Sequence, residues 1–159
     1  MIEPTAPRPM RASRTTIAQL MHPEHANSQG NVHGGWIMKL VDEAGSLACM
    51  RHAGQRVVTV AIDKMVFRQP IRIGDLIILD AEVTYTGRSS MEVEVQVVAE
   101  NPISGQRTHT NTAYMVYVAL DATGRPTPVP PVVAENPEEQ ARIDAAKIRQ
   151  TIRLAKKDR

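Results

Sequence analysis

Cysteine and aromatic side chains are scarce in this chain of 159 residues, which holds one cysteine, one tryptophan, one phenylalanine and three tyrosines. A lone Cys49 excludes an internal disulfide and a thiolate cluster for a structural metal, and it suits a reducing compartment. With aromatics at 3%, the stacking platforms that read single-stranded bases are largely missing. The formal charge is only +2, and basic residues gather at the two ends, among them Arg8, Arg11, Lys156, Lys157 and Arg159. Nucleic acid is therefore not an expected partner. No apolar run approaches the ~20 residues needed to span a bilayer. The opening stretch M-I-E-P-T-A-P-R-P-M-R-A-S-R has no continuous apolar segment of the kind that export signals carry. The expectation is a cytoplasmic protein without a membrane segment, whose residues 1–13 form a disordered tail.

What is present is periodicity, over a length that fits one domain. Residues 14–21 give a weak first strand, and a loop follows to His33. Gly34 to Ala53 then reads as a helix, with Trp36, Ile37, Leu40, Val41, Ala44, Leu47 and Ala48 on one broad face and Gly54 as its stop. From there the pattern alternates. Strands are predicted over Val57 to Phe67, Leu76 to Thr86, Met91 to Ala99 and Thr110 to Leu120, with turns at Gly74-Asp75, Gly87 and Asn101 to Gly105. One early helix followed by antiparallel strands defines an α+β fold in which a sheet packs against a central helix. Residues 14–128 make this domain, and residues 129–159 make a linker and a C-terminal helix. The proline-rich stretch 121–135 should run extended. Asn136-Pro137-Glu138-Glu139 combines an N-cap, an N1 proline and early carboxylates. The seam of Ala141, Ala145, Ile148, Ile152 and Ala155 on this second helix is expected to pack on the sheet or on another subunit.

The chemistry concentrates between Asn27 and Asp42, in N-S-Q-G-N-V-H-G-G-W-I-M-K-L-V-D. Polar loop residues and a Gly-Gly step precede a helix that carries one carboxylate. An anion-stabilising helix start, an amide and a general base in one short span suit acyl transfer. The plainer alternative is a glycine-rich loop before a core helix. Asp42 lies off the apolar stripe, among Met38, Gly45, Ser46 and Cys49. So many small residues suggest a face covered by a subunit or a ligand channel, the alternative being an exposed Asp near Lys39 and Glu43. Cys49 reads as a small buried packing residue.

The segment H-A-N-S-Q-G-N-V-H-G-G-W-I-M-K-L-V-D-E-A-G resembles the signature of hotdog-fold acyl-CoA thioesterases. The likeness is to the acyl-CoA hydrolases related to the brain long-chain enzyme and to small bacterial YciA-type proteins. It continues through V-V-T-V-A-I-D-K-M-V-F-R-Q-P-I-R-I-G-D, A-E-V-T-Y-T-G-R-S-S-M-E-V-E-V and A-E-N-P-I-S-G, and so covers roughly Thr16 to Pro128. His25-Ala26 departs from the Asp-Thr pair that often precedes the family's asparagine.

The resemblance implies an antiparallel sheet wrapped around one helix, a homodimer, and assembly as a trimer of dimers, that is, a hexamer. It implies hydrolysis of fatty acyl-CoA to fatty acid and coenzyme A at the dimer interface, with Asn27 from one subunit and Asp42 from its mate. Asp42 would act as general base, or as a nucleophile through an anhydride. The Gly35 N–H would hold the oxyanion, and Gly34 would let the thioester approach the backbone. Thr59 and Val60 would line the pantetheine path. Arg88, Ser89 and Ser90 would meet the nucleotide end, with Arg56 and Arg68 as further phosphate partners. Apart from the resemblance, Trp36 and Met38 are expected to limit the acyl channel. No metal or organic cofactor is implied, since coenzyme A belongs to the substrate. His33 reads as a loop group. A hydratase or dehydratase on the same fold would instead make it catalytic, and a non-catalytic acyl-CoA-binding module is the third reading.

Overall fold

The computed structural model describes residues 1–63 and 65–158, so Lys64, inside the strand predicted over Val57 to Phe67, and Arg159 lie outside the described residues. In chain order the elements are β1 (Arg8–Pro9), β2 (Thr15–Leu20), α1 (Gly34–Ala53), β3 (Arg56–Ile62), β4 (Leu76–Thr86), β5 (Ser90–Glu100), β6 (Arg107–Leu120), β7 (Val132–Val133) and α2 (Pro137–Lys157). Short 3-10 turns occupy Met10–Ala12 and Pro23–His25. Five strands form one antiparallel sheet in the order β2-β4-β5-β6-β3. Helix α1 lies on it and touches every one of those strands. This is the sheet-around-helix arrangement that the sequence and the resemblance imply.

Small residues let α1 settle close to the sheet. Ile37, Leu40, Val41, Ala44, Ala48 and Cys49 are all buried, against Leu79, Val83, Val93, Val97, Met115 and Tyr117 from the inward face of β4, β5 and β6. Burying a large aliphatic side chain of this kind contributes about 1.5–3 kcal/mol. At Gly45 the approach is closest, since a Cβ there would stand 2.6 Å from the Tyr117 hydroxyl and 2.9 Å from a Val93 methyl. Leu47, at the margin of the apolar stripe, is 38% exposed rather than in the core. Gly54 ends the helix at φ 65°, a left-handed conformation that favours glycine, and its N–H returns to the Met50 carbonyl.

Three expectations need correction. Residues 8–13 are not a free tail. Arg8 and Pro9 pair in parallel with Val132 and Val133, Met10 is fully buried, and the Ser13 hydroxyl accepts from the Val83 N–H. These partners lie far away in sequence, so local composition gives no hint of them. The strand after α1 stops at Ile62, because Asp63 makes the last backbone bond to Tyr114 and the chain then leaves the sheet toward the start of α1. Finally, α2 does not pack on its own sheet through its alanine and isoleucine seam, which is exposed in the single chain. It lays Arg142, Arg149 and Arg153 on the outer sheet face, where they pair with Glu82, Glu92, Glu94 and Asp63. Only Ile143 and Ala146 of α2 are fully buried, while Ile148 and Ile152 are 63% and 51% exposed. The row of glutamates on the sheet selects the basic face of the helix.

Candidate active site

Asp42 stands in the third turn of α1, half-buried. Its Oδ1 accepts two hydrogen bonds, from the Thr59 hydroxyl at 2.7 Å and from the Tyr117 hydroxyl at 2.9 Å. Among the described residues its Oδ2 accepts none. Thr59 and Tyr117 are register partners on β3 and β6, so both project toward the helix. Just past Thr59 the register shifts before Ala61, and this bulge leaves Val60 unpaired and 57% exposed. Bulges of this kind re-aim side chains beside functional groups. Burial, and then the neighbouring Asp42 carboxylate, push the Tyr117 phenol up, which keeps it a protonated donor. Cys49 is fully buried, and burial pushes its thiol up as well, so it is a packing residue and not a thiolate.

The second cluster surrounds the start of α1. Asn27 Oδ1 accepts from the N–H groups of Gln29 and Asn31 at 2.9 and 3.2 Å, and Gly30 turns the loop at φ 81°. With that oxygen committed to the loop, Asn27 has its NH2 left to offer a ligand, a donor suited to a carbonyl oxygen. Asn27 lines a cavity of about 250 Å³ with Val32, Gly34, Ile37, Phe67 and Ile71. A Cβ on Gly34 would make only ordinary 3.6 Å contact with the Phe67 ring. His25, at the departure from the family pattern, is buried edge-on against Trp36 with ring centroids 4.6 Å apart, and its Nδ1 accepts from the His22 N–H. Met38 is 40% exposed. His33 is the N-cap of α1, and its Nδ1 accepts the Gly35 N–H at 3.0 Å. The expected oxyanion donor is therefore satisfied by a neighbouring imidazole.

The third cluster is the turn between β4 and β5. Its backbone is fastened by Gly87 to Ser90, by Val129 to Arg88 and by Ala119 to Ser89, each at 2.9 Å. The Arg88 side chain is exposed. Ser90 pairs with Val118 and Arg56 with Leu120. This places Arg88, Ser89, Ser90 and Arg56 toward one end of the sheet, from Ser90, about 3 Å along the strands from the row that holds Thr59 and Tyr117, to Arg56, about 10 Å from it. Arg68 is separate, next to Phe67 at the start of α1.

Asp42 thus meets Thr59 in one chain but does not meet Asn27 and Gly35. Gly35 and Asp42 are seven positions apart on one helix, which is about 10 Å along its axis. A reacting atom must lie within roughly 3 Å of both base and oxyanion donor. Within one chain, then, the base and the expected oxyanion donor are not brought together. Tyr117 is the site residue that sequence reasoning missed. The available signal was a lone polar-tipped side chain among the inward residues Ala113, Met115 and Ala119 of β6.

One helix cradled by a curled antiparallel sheet, with a carboxylate on the helix flank and a glycine-rich helix start, defines a hotdog-fold thioesterase. The sequence profile of the thioesterase superfamily matches residues 29–105. The uncharacterized acyl-CoA thioester hydrolase YkhA of Bacillus subtilis is 36% identical over 129 residues, covering 81% of this chain and 75% of YkhA. A hexameric acyl-CoA thioesterase solved without ligand superposes with a TM-score of 0.91 at 36% identity, over 95% of this chain and 97% of that one. An acyl-CoA hydrolase from Staphylococcus aureus, solved with butyryl coenzyme A, coenzyme A and coenzyme A disulfide, gives 0.88 at 33% identity, over 95% and 92%. The chain belongs to the thioesterase superfamily, in its group of acyl-CoA thioester hydrolases. It spans 38% of the length of the rat cytosolic acyl coenzyme A thioester hydrolase, with which it shares 34% identity over 143 residues, 89% of this chain.

Proposed function

We propose that this protein hydrolyses acyl-CoA thioesters to a free fatty acid and coenzyme A, at sites shared between two copies of the chain. The observation that carries this reading is the Asp42 carboxylate, with Oδ1 held by Thr59 and Tyr117 and Oδ2 open. It lies beside an edge strand that presents Val58, Val60 and Ile62 at 43–57% exposure. An exposed apolar edge strand invites pairing. Two copies of β3 side by side make a self-complementary contact and generate two equivalent sites. Each would combine Asp42 of one copy with Asn27 and Gly35 of the other. The hexameric state of related thioesterases supports a homo-oligomer, with three such dimers as the reading for this chain.

In the reaction, Asp42 Oδ2 takes a proton from a water whose oxygen bonds to the thioester carbonyl carbon. The Gly35 N–H and the Asn27 NH2 receive the charge that develops on the carbonyl oxygen, after the exposed His33 ring turns away from Gly35. The carbon–sulfur bond breaks, and the departing sulfur takes the proton from Asp42. In the alternative, Oδ2 attacks the carbonyl carbon directly, the carbon–sulfur bond breaks to release the thiolate, and water then hydrolyses the resulting Asp42 anhydride to free the acid, the released proton neutralising the thiolate. General-base catalysis is worth typically ~10²–10⁴-fold. Arg88, with Ser89, Ser90 and Arg56, is suited to the phosphates of coenzyme A, because a guanidinium binds phosphate through a rigid fork of donors. Thr59 acts through its hydroxyl on Asp42 as well as beside the pantetheine path with Val60. The reading needs no metal or organic cofactor. No helix among the described residues is long and apolar enough to cross a membrane, and the cytosolic rat relative favours the cytoplasm.

The test is release of free thiol from a panel of acyl-CoAs, acetyl to palmitoyl, by the parent protein and by Asp42→Ala. The parent turns over part of the panel, and the variant loses at least about 10²-fold. Equal turnover by the two, with assembly matched, would overturn the role of Asp42, and no turnover of any panel member by the parent would overturn the hydrolase reading.

A further inference from the structure

We infer that Tyr117 is a positioning residue for this hydrolysis, fixing the Asp42 carboxylate so that only Oδ2 faces the reacting water. This rests on the hydrolase reading above and assigns a role to a group that its chemistry does not otherwise use. The Tyr117 ring is fully buried, yet its hydroxyl reaches the only carboxylate on that flank of α1, 2.9 Å from Oδ1 and 3.0 Å from the Asp42 carbonyl. A buried hydroxyl needs a partner, but that need alone is met by the carbonyl. The contact to Oδ1 joins one from Thr59, so two hydroxyls from two strands converge on one oxygen. A carboxylate held this way has one rotamer and one free face.

The neighbouring sequence is built around this contact. Position 45, one turn after Asp42, is glycine, and any Cβ there would collide with the Tyr117 hydroxyl at 2.6 Å. Met91 on the other side of Tyr117 is buried and apolar, as are Val93 and Met115, so they supply no competing carboxylate or amide. Burial and Asp42 push the phenol up, which keeps its proton available to donate across neutral pH.

The experiment is a cycle of four proteins, parent, Tyr117→Phe, Asp42→Ala and the double variant, with kcat and KM measured on one acyl-CoA and oligomeric size checked for each. Tyr117→Phe keeps the ring and removes only the hydroxyl. The expected result is a fall in kcat of about 10- to 100-fold, as for loss of a hydrogen bond to a charged group, with KM unchanged. In the Asp42→Ala background the same change has no further effect. Thr59→Val, on the exposed edge strand, removes the other donor and shows the same fall in kcat, any change in KM reporting its place beside the pantetheine path, which keeps the idea testable if Tyr117→Phe assembles poorly. Parental kcat in Tyr117→Phe, with Asp42→Ala inactive, overturns the positioning role and leaves the base assignment standing. An equal loss in both backgrounds makes Tyr117 merely structural and overturns it too. Parental activity in Asp42→Ala overturns the assignment of Asp42 as base and the positioning role with it, while no turnover by the parent overturns the hydrolase reading itself.

Discussion

The backbone N–H of Gly35 donates to Nδ1 of His33 at 3.0 Å, so helix α1 caps its own first turn with the side chain that precedes its Gly-Gly step. In the proposed reaction that amide receives the oxyanion, and the imidazole is a competitor for it and not a participant. His33→Ala should therefore keep most of the parental turnover, while losing about 0.5–2 kcal/mol of stability with the cap. Steady-state kinetics and urea unfolding measure the two effects. Abolition of turnover in a stable His33→Ala would favour the hydratase-type chemistry in which this histidine is catalytic.

Gly45→Ala places a methyl against the Tyr117 hydroxyl and a Val93 methyl in a packed layer. Overpacking of this kind costs typically about 1–3 kcal/mol. Because the displaced hydroxyl is a donor to Asp42, the variant should lose activity at temperatures where it remains folded. Thermal melts and assays on the same preparation separate the two. Full activity in the variant would show that the closeness of helix and strand there has no bearing on Asp42.

Glu92 is fully buried on the outer sheet face and pairs with Arg149 at 2.7 Å and with Arg153, while Thr84 donates to it at 2.6 Å. Glu92→Ala leaves the Arg149 guanidinium without its carboxylate and Arg153 with Asp63 alone. Removing one partner of a buried pair costs about 3–5 kcal/mol. Urea unfolding of the variant should show a loss in that range, and limited proteolysis should cut first in α2. A loss below about 1 kcal/mol, the size typical of surface pairs, would mean that the Glu92 pairs contribute little to holding the helix.

His52 is fully buried, with Nε2 against the Pro130 carbonyl at 2.8 Å and the Arg8 guanidinium beside it. Burial pushes its pKa below the ordinary value of 6.5, opposed by the Pro130 carbonyl and aided by Arg8. The unfolded chain then binds a proton that the folded one refuses. Stability is fully present above pH 6.5 and falls as the pH drops from there toward the folded-state value. Unfolding free energies at pH 7.5 and pH 5.5 should differ in that direction, and His52→Gln should flatten the dependence. An unchanged slope in the variant would assign it to other groups.

Most of the fold was legible because period and punctuation agree. Gly34 to Ala53, Leu76 to Thr86 and the Asn136 cap were read to within a residue, since apolar spacing, Gly54 and the Pro137-Glu138-Glu139 start all act locally. Pairings between distant segments were not legible. Nothing near Met10 announces that Val132 will receive its strand, and nothing within α2 announces that Glu82, Glu92 and Glu94 will prefer its arginines to its isoleucines. At the site, the glycine-rich helix start and the carboxylate of Asp42 stood out by residue type and spacing, while the roles of Asn27 and Gly35 came from the family resemblance. Tyr117 did not stand out, because a strand residue 75 positions away reaches Asp42 only through the curl of the sheet.

The central claim, that each site joins Asp42 of one copy to Asn27 of another, is tested most directly by mixing. Asp42→Ala and Asn27→Ala are each prepared inactive, unfolded together and reassembled in equal amounts. Shared sites give one intact pair in every mixed dimer, so roughly one quarter of parental turnover should return, half the dimers being mixed and half their sites whole. If both residues served the same site from one chain, every site would keep one lesion, and no activity would return above that of the separate variants.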